Sequence, residues 1–171
     1  MKVDITNVLT AENRTVEISV ETELESFISK LGEFPITKKA PFELHLENLE
    51  NKKLLVFGET EIILRVPCGR CLQDVTVGIP LSLRKEYLIG ITQVDTDDAE
   101  YITESSLDVD KIVYDEILVN WPMKVLCSDN CRGICGKCGA NLNVRTCSCE
   151  QTELDPRMAA IQDIFNQFKE V

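Results

Sequence analysis

Histidine is nearly missing from this chain: His45 is the only one among 171 residues. That scarcity argues against histidine-based acid–base constellations, and it leaves no histidine near the cysteines in sequence to share a metal site with them. Basic charge is short as well, with 18 Lys and Arg against 29 Asp and Glu and a net charge of −11. A field of that sign repels phosphate backbones and anionic lipid, so a large basic nucleic-acid saddle is excluded while a small local patch is not. Aromatic residues make up only 6%, with one tryptophan, Trp121. Strong single-strand binders need more stacking platforms than that. No run approaches the roughly 18 apolar residues of a membrane span, and Met1-Lys2-Val3-Asp4-Ile5-Thr6-Asn7 lacks the apolar core of a signal peptide. These absences predict a cytoplasmic protein with reduced thiols, no membrane partner and no small-molecule substrate.

What is present is alternation. Val16, Ile18 and Val20, then Phe42, Leu44 and Leu46, then Ile62, Leu64 and Val66 repeat every two residues, as half-buried strands do. After Pro67-Cys68-Gly69-Arg70-Cys71 the alternation resumes through Val75, Val77, Ile79, Leu81 and Leu83, predicting a hairpin with a cysteine-bearing turn. Gly78 and Pro80 on its second strand suggest an edge or a bend. Leu24, Phe27, Ile28 and Leu31 fall at helical spacing before Gly32, which predicts a short helix there. Residues 95–116 hold nine carboxylates against Lys111 alone. Their first half reads as a solvated acidic loop. Their second half reads as a helix carrying Val109, Ile112, Val113, Ile117 and Trp121, with Ser105 as its cap signal and Pro122 as its stop. Asp155-Pro156 opens a last helix with Ile161, Ile164, Phe165 and Phe168 as its apolar stripe.

The expected fold is α+β: a mainly antiparallel β-domain ending in an acidic helix (residues 1–120), a small cysteine-rich zinc-binding segment (121–150) and a C-terminal amphipathic helix (151–171). At this length about 70% of the unfolded surface can be buried, so the β-domain does not need crosslinks merely to fold.

The eight cysteines therefore call for another explanation. They form four close pairs, Cys68/Cys71, Cys127/Cys131, Cys135/Cys138 and Cys147/Cys149. A C-x2-C turn lets two thiolates reach one ion while turn amides donate to the sulfurs, and Gly139 after Cys138 supplies the permissive backbone of such a knuckle. An all-sulfur set selects zinc or an iron–sulfur cluster; a redox pair is a further alternative. Cys135, Cys138, Cys147 and Cys149 can close around one ion by themselves. That leaves Cys68, Cys71, Cys127 and Cys131 for a first, long-range site that would tie the segment to the β-domain. The rival division joins Cys68/Cys71 to Cys147/Cys149. The preferred reading is two structural zinc ions per chain, because 127–149 has only Ile134, Leu142 and Val144 as large apolar residues and little core of its own.

The series Cys68-Gly69-Arg70-Cys71-Leu72, Cys135-Gly136-Lys137-Cys138-Gly139-Ala140-Asn141-Leu142-Asn143, Cys147-Ser148-Cys149 and Asp155-Pro156-Arg157 resembles the YceD-like family, called large ribosomal RNA subunit accumulation proteins. The resemblance covers most of the chain and is most specific in the C-terminal block. It implies a bacterial cytoplasmic factor needed for normal levels of large-subunit ribosomal RNA through ribosome synthesis, with no established catalytic residues. It also implies that the second quartet is separable, since some members lack it.

Residues 121–149 hold Lys124, Arg132, Lys137 and Arg145 against Asp129 alone, a net of +3 on an otherwise acidic chain. These four cations, with Arg157, are the candidate RNA contacts; the plainer reading is that they neutralise metal-bound thiolates. The acidic stretch 95–116 is either solvating or a surface for a basic ribosomal protein. Asn141 and Asn143 are read as hydrogen-bond partners of the knuckle backbone, and His45 as a surface residue. Two classes of function follow. The first is a non-enzymatic ribosome-assembly factor that meets a large-subunit precursor or its rRNA. The second is a zinc-thiolate redox sensor or redox-regulated chaperone.

Overall fold

A computed structural model describes residues 1–10, 12–49, 53–88, 101–103, 105–149 and 161. In chain order the elements are β1 (Lys2–Asp4), α1 (Thr6–Leu9), β2 (Thr15–Val20), β3 (Ser26–Ser29), β4 (Gly32–Lys38), β5 (Phe42–Leu49), β6 (Lys53–Pro67), β7 (Asp74–Leu88), β8 (Ile102–Thr103), β9 (Ser106–Asp108) and α2 (Val109–Val119). Strand pairing is antiparallel throughout.

The long β6–β7 hairpin is the axis of the fold. Its two strands pair from Lys53↔Leu88 to Pro67↔Asp74 without a shift in register. The other edge of β6 is shared, by β5 at its start and β4 near its end. Strand order in the main sheet is β2-β5-β6-β4-β3, with β7 on β6, and a small sheet β1-β9-β8 stands apart. The alternation seen in the sequence sets the buried face. Leu44, Leu46, Leu54, Val56, Ile62, Leu64, Ile79, Leu81 and Leu83 are all buried there. Each such side chain contributes about 1.5–3 kcal/mol by leaving water. Among the described residues β7 pairs only with β6, in keeping with the edge suggested by Gly78 and Pro80.

Helix α2 covers this face, lying against β7 and burying Val109, Ile112, Val113 and Ile117. Its cap is Asp108, which accepts from the Lys111 amide at 3.3 Å, rather than Ser105. Ser105 instead accepts from the Ile5 amide through its carbonyl, and Ser106–Asp108 pair with β1 before the helix begins. The helix ends at Val119, so Trp121 lies beyond it.

The short helix expected over Leu24–Leu31 is not formed. The segment is the β3–β4 hairpin, in which Ser29 pairs with Gly32 and Lys30-Leu31 make the turn. Phe27 is fully buried while Ile28 and Leu31 are exposed, so only one of the apolar residues beyond Leu24 faces the core. Gly32, read as a helix stop, opens β4. Phe27 anchors the hairpin in an aromatic cluster, with ring centroids 5.0 Å from Tyr114 and from Trp121, and Phe34 lies 4.8 Å from Trp121. The Tyr114 hydroxyl donates to the Ile28 carbonyl at 2.7 Å. This cluster fixes the end of α2 and aims the following chain at the tip of the β6–β7 hairpin. The acidic stretch 95–100 and the C-terminal helix, apart from Ile161, lie outside the described residues. Among the described residues no helix is long and apolar enough to cross a membrane.

Candidate metal centres

The turn between β6 and β7 is a knuckle. Cys68 donates its amide to the Gln73 carbonyl at 2.8 Å, and Leu72 donates back to the Cys68 carbonyl at 3.0 Å. The chain leaving α2 passes alongside, and the Gly69 amide donates to the Val125 carbonyl at 2.9 Å. That pairing delivers Cys127 and Cys131 to Cys68 and Cys71. Sγ of Cys68 lies 3.8 Å from that of Cys131, and Sγ of Cys71 lies 3.5 Å from that of Cys127. Four sulfurs bound to one ion at about 2.3 Å form a tetrahedron with edges of about 3.8 Å. The observed spacing fits one ion. Cys68, Cys71 and Cys131 are buried and Cys127 is exposed.

The second quartet is local. Cys135 donates its amide to the Ala140 carbonyl at 2.8 Å and accepts from the Gly139 amide at 2.9 Å. Gly139 takes φ +69°, the left-handed backbone this knuckle requires. Cys147 and Cys149 return to it, so that the Sγ atoms of Cys135, Cys138, Cys147 and Cys149 all lie within 4.8 Å of one another. This set is more open, with Cys135 buried, Cys147 and Cys149 half-buried and Cys138 exposed. Each quartet could hold a metal ion. The eight cysteines therefore divide as preferred from their spacing, and the crossed arrangement is not formed.

The electrostatics of the knuckles suit thiolates. Amides of Arg70 and Cys71 hold the Cys68 thiol down to about 6, and amides of Cys138 and Lys137 do the same for Cys135, also to about 6. The crowded partners go the other way. Cys131 and then Cys71 push Cys127 up to about 12, and Cys138 foremost pushes Cys149 up to about 12. Four sulfurs this close cannot all ionise against one another; a cation among them lets all four do so.

The sequence-predicted cations fall on this segment. Lys124, Arg132, Lys137 and Arg145 are exposed, and Arg157 lies outside the described residues. His45 belongs to neither quartet; it is half-buried on β5, stacked on Phe57 at 4.7 Å and 3.3 Å from Glu17. Three residues escaped sequence reasoning. Arg70 ties the first knuckle to the second half of its quartet, Gly133 packs against the Arg70 carbonyl at φ +77°, and Leu72 takes a left-handed φ of +60°. The C-x-R-C spelling held the only signal for Arg70. Asn141 and Asn143 do bond the knuckle backbone, and Asn143 also reaches a sulfur, donating to Cys131 Sγ at 3.3 Å.

The chain is 25% identical to Bacillus subtilis YlbN over 157 residues, which cover 91% of this chain and 87% of that one. It is 31% identical over 64 residues to the Arabidopsis thaliana chloroplastic Large ribosomal RNA subunit accumulation protein YCED homolog 1, covering 37% of this chain and 20% of that protein. The corresponding Zea mays protein is 33% identical over 64 residues, 36% of this chain and 22% of its own. No solved structure matches. The family described as Large ribosomal RNA subunit accumulation protein YceD matches residues 56–165, a span that runs from within β6 through all eight cysteines, and on that match the chain belongs to the YceD family.

Proposed function

We propose that this chain is a non-enzymatic zinc-binding factor that supports large-subunit ribosomal RNA accumulation, acting by binding during ribosome assembly in the cytoplasm. The observation that carries the reading is the pair of complete cysteine quartets, one of them joining the β6–β7 hairpin to the chain after α2. Zinc suits four convergent thiolates, and a full quartet leaves no open position for a reacting water. An iron–sulfur cluster would spread its ligands over several irons, and sulfurs that all lie within 4.8 Å of one another favour a single ion. Zinc held by Cys68, Cys71, Cys127 and Cys131, and by Cys135, Cys138, Cys147 and Cys149, would supply a redox-inert crosslink to a segment with little apolar core. The names of the plant relatives point to large-subunit rRNA.

The net charge of −11 makes free RNA a poor partner. The reading is therefore a precursor particle, with Lys124, Arg132, Lys137, Arg145 and Arg157 as the RNA contacts and the acidic stretch 95–116 meeting a basic ribosomal protein. The test is sedimentation of tagged full-length protein from a gently lysed cell, with metal analysis of the purified chain. Co-sedimentation with large-subunit precursors and about two zinc ions per chain are expected. Absence from those fractions, or a metal-free or iron-containing chain, would overturn it. Zinc release under mild peroxide with no ribosomal association would favour the redox sensor instead.

A further inference from the structure

The two quartets are not independent bodies. Asn143 lies between Cys138 and Cys147, inside the loop that the second quartet closes, yet its side chain is spent on the first. Its Oδ1 accepts from the Arg132 amide at 2.7 Å, and its Nδ2 donates to Cys131 Sγ at 3.3 Å and to Asn141 Oδ1 at 3.0 Å. The orientation of this amide is fixed by chemistry. The Arg132 N–H can only donate, so oxygen must face it, and nitrogen then faces the sulfur. The loop is held against the first site at two further points: Leu142 donates to the Gly133 carbonyl at 2.9 Å, and Ile134 bridges to Asn141.

We infer that Asn143 couples the two quartets, so that an ion held by Cys135, Cys138, Cys147 and Cys149 tightens the hold of Cys68, Cys71, Cys127 and Cys131 on theirs. The inference rests on the reading that both quartets bind metal. An N–H donor to a metal-bound thiolate offsets the surplus negative charge of a four-sulfur site and is a charge-assisted bond. The donor helps only if it is held in place. An ion in the second quartet fixes both ends of the loop, at Cys138 and Cys147, and so removes the ordering cost of presenting Asn143. Binding linkage is reciprocal, so the first ion tightens the second by the same factor. Asn143 is thus a positioning residue for a site to which it contributes no ligand.

The test is cobalt titration of the full-length protein, followed by competition with zinc. Three variants are compared with the unaltered chain: Cys135→Ser with Cys138→Ser, Asn143→Leu, and all three substitutions together. Loss of the second quartet should weaken cobalt binding at the first about tenfold. Asn143→Leu should weaken it to a similar extent, and the combination should be no weaker than either, since both remove one interaction. Asn143→Asp keeps the acceptor for the Arg132 amide and the side-chain size but removes the donor. It should shift the sulfur-to-cobalt charge-transfer band of the first quartet, a change that loosened packing alone would not produce. Far-UV circular dichroism of the sheet serves as the folding control. First-quartet affinity unchanged by loss of the second, or losses that multiply in the combination, would overturn the coupling. A chain that takes up no cobalt would overturn the metal reading itself, a result distinguishable from either.

Discussion

The Arg70 guanidinium donates from Nη1 to the Cys131 backbone carbonyl at 2.9 Å, bridging 61 residues of sequence across the first quartet. The Arg70 carbonyl accepts from the Ile134 amide at 3.1 Å, and a Cβ on Gly133 would stand 3.0 Å from that same oxygen. One residue thus grips the far half of the site with its head and its backbone. Arg70→Met keeps the stem and loses the donors. We expect it to weaken metal binding at the first quartet by about 1 kcal/mol, or roughly fivefold, measured by chelator competition.

Leu72 occupies in the first knuckle the place that Gly139 holds in the second, at φ +60° against +69°. Its side chain is 64% exposed, so little packing is lost with it. Left-handed backbone costs a side-chain-bearing residue about 1–2 kcal/mol, part of which glycine returns as unfolded-state entropy. Leu72→Gly should therefore stabilise the protein by up to about 1 kcal/mol, raising the thermal midpoint by about 2–4 °C. A lowered midpoint would show that the leucine side chain contributes packing that its exposure hides.

Phe27 and Ile28 test the hairpin against a helix. Phe27→Ala removes a fully buried ring from the cluster with Phe34, Tyr114 and Trp121 and should cost about 3–5 kcal/mol in denaturant unfolding. Ile28→Ser next to it, on the exposed face, should stay within about 0.5 kcal/mol. Similar costs at both positions would mean that both side chains are buried, as on a helix stripe.

Asp110 sets an acid limit to stability. Burial pushes its carboxyl up, but bonds from the Met1 ammonium, from Thr22 Oγ1 at 2.7 Å and from the Glu23 amide at 3.0 Å outweigh that and hold it below the usual 3.8. A carboxyl depressed in the folded state contributes fully above its unfolded value and loses the contribution as pH falls through the folded one. The partly exposed site limits this to less than about 1 kcal/mol. Asp110→Asn should lower stability at neutral pH and flatten the decline below about pH 4, read from urea midpoints between about pH 6 and 2. A decline as steep as that of the unaltered chain would assign the acid sensitivity to other carboxylates.

Acid replacement tests the partner surfaces that we propose. With the Asp and Glu of 95–104 changed to Asn and Gln, association with the precursor particle should slow while the thermal midpoint of the core holds. Unchanged association, together with tight binding to naked rRNA at physiological salt, would show that RNA is read directly and that this stretch only faces solvent.

Local rules in the sequence determined what depends on neighbours along the chain. Alternation specified the hairpin end of β6 and most of β7, because a one-residue slip would turn Ile62, Leu64, Ile79 and Leu81 out of the core together. The spacing of Cys135, Cys138, Cys147 and Cys149 specified the second quartet, because a span of fifteen residues can close on one ion without help. The same rules misread Leu24–Leu31, where apolar residues three and four apart also suit a strand turning into a tight hairpin, and only burial of Phe27 beneath Trp121 selects the strand. The first quartet was legible in the sequence only as the remainder left by the local one, with a crossed division still open, and the tertiary structure decided it. Cys71 and Cys127 stand 56 residues apart, and their meeting depends on α2 lying on the sheet, on the aromatic cluster that ends it, and on Gly69 pairing with Val125. It also decided that Asn143 would face Cys131, since no spacing along the chain relates a donor in one loop to a sulfur in another. Long-range closure costs entropy that local patterns do not report, and it is recovered only by the packing of the whole fold.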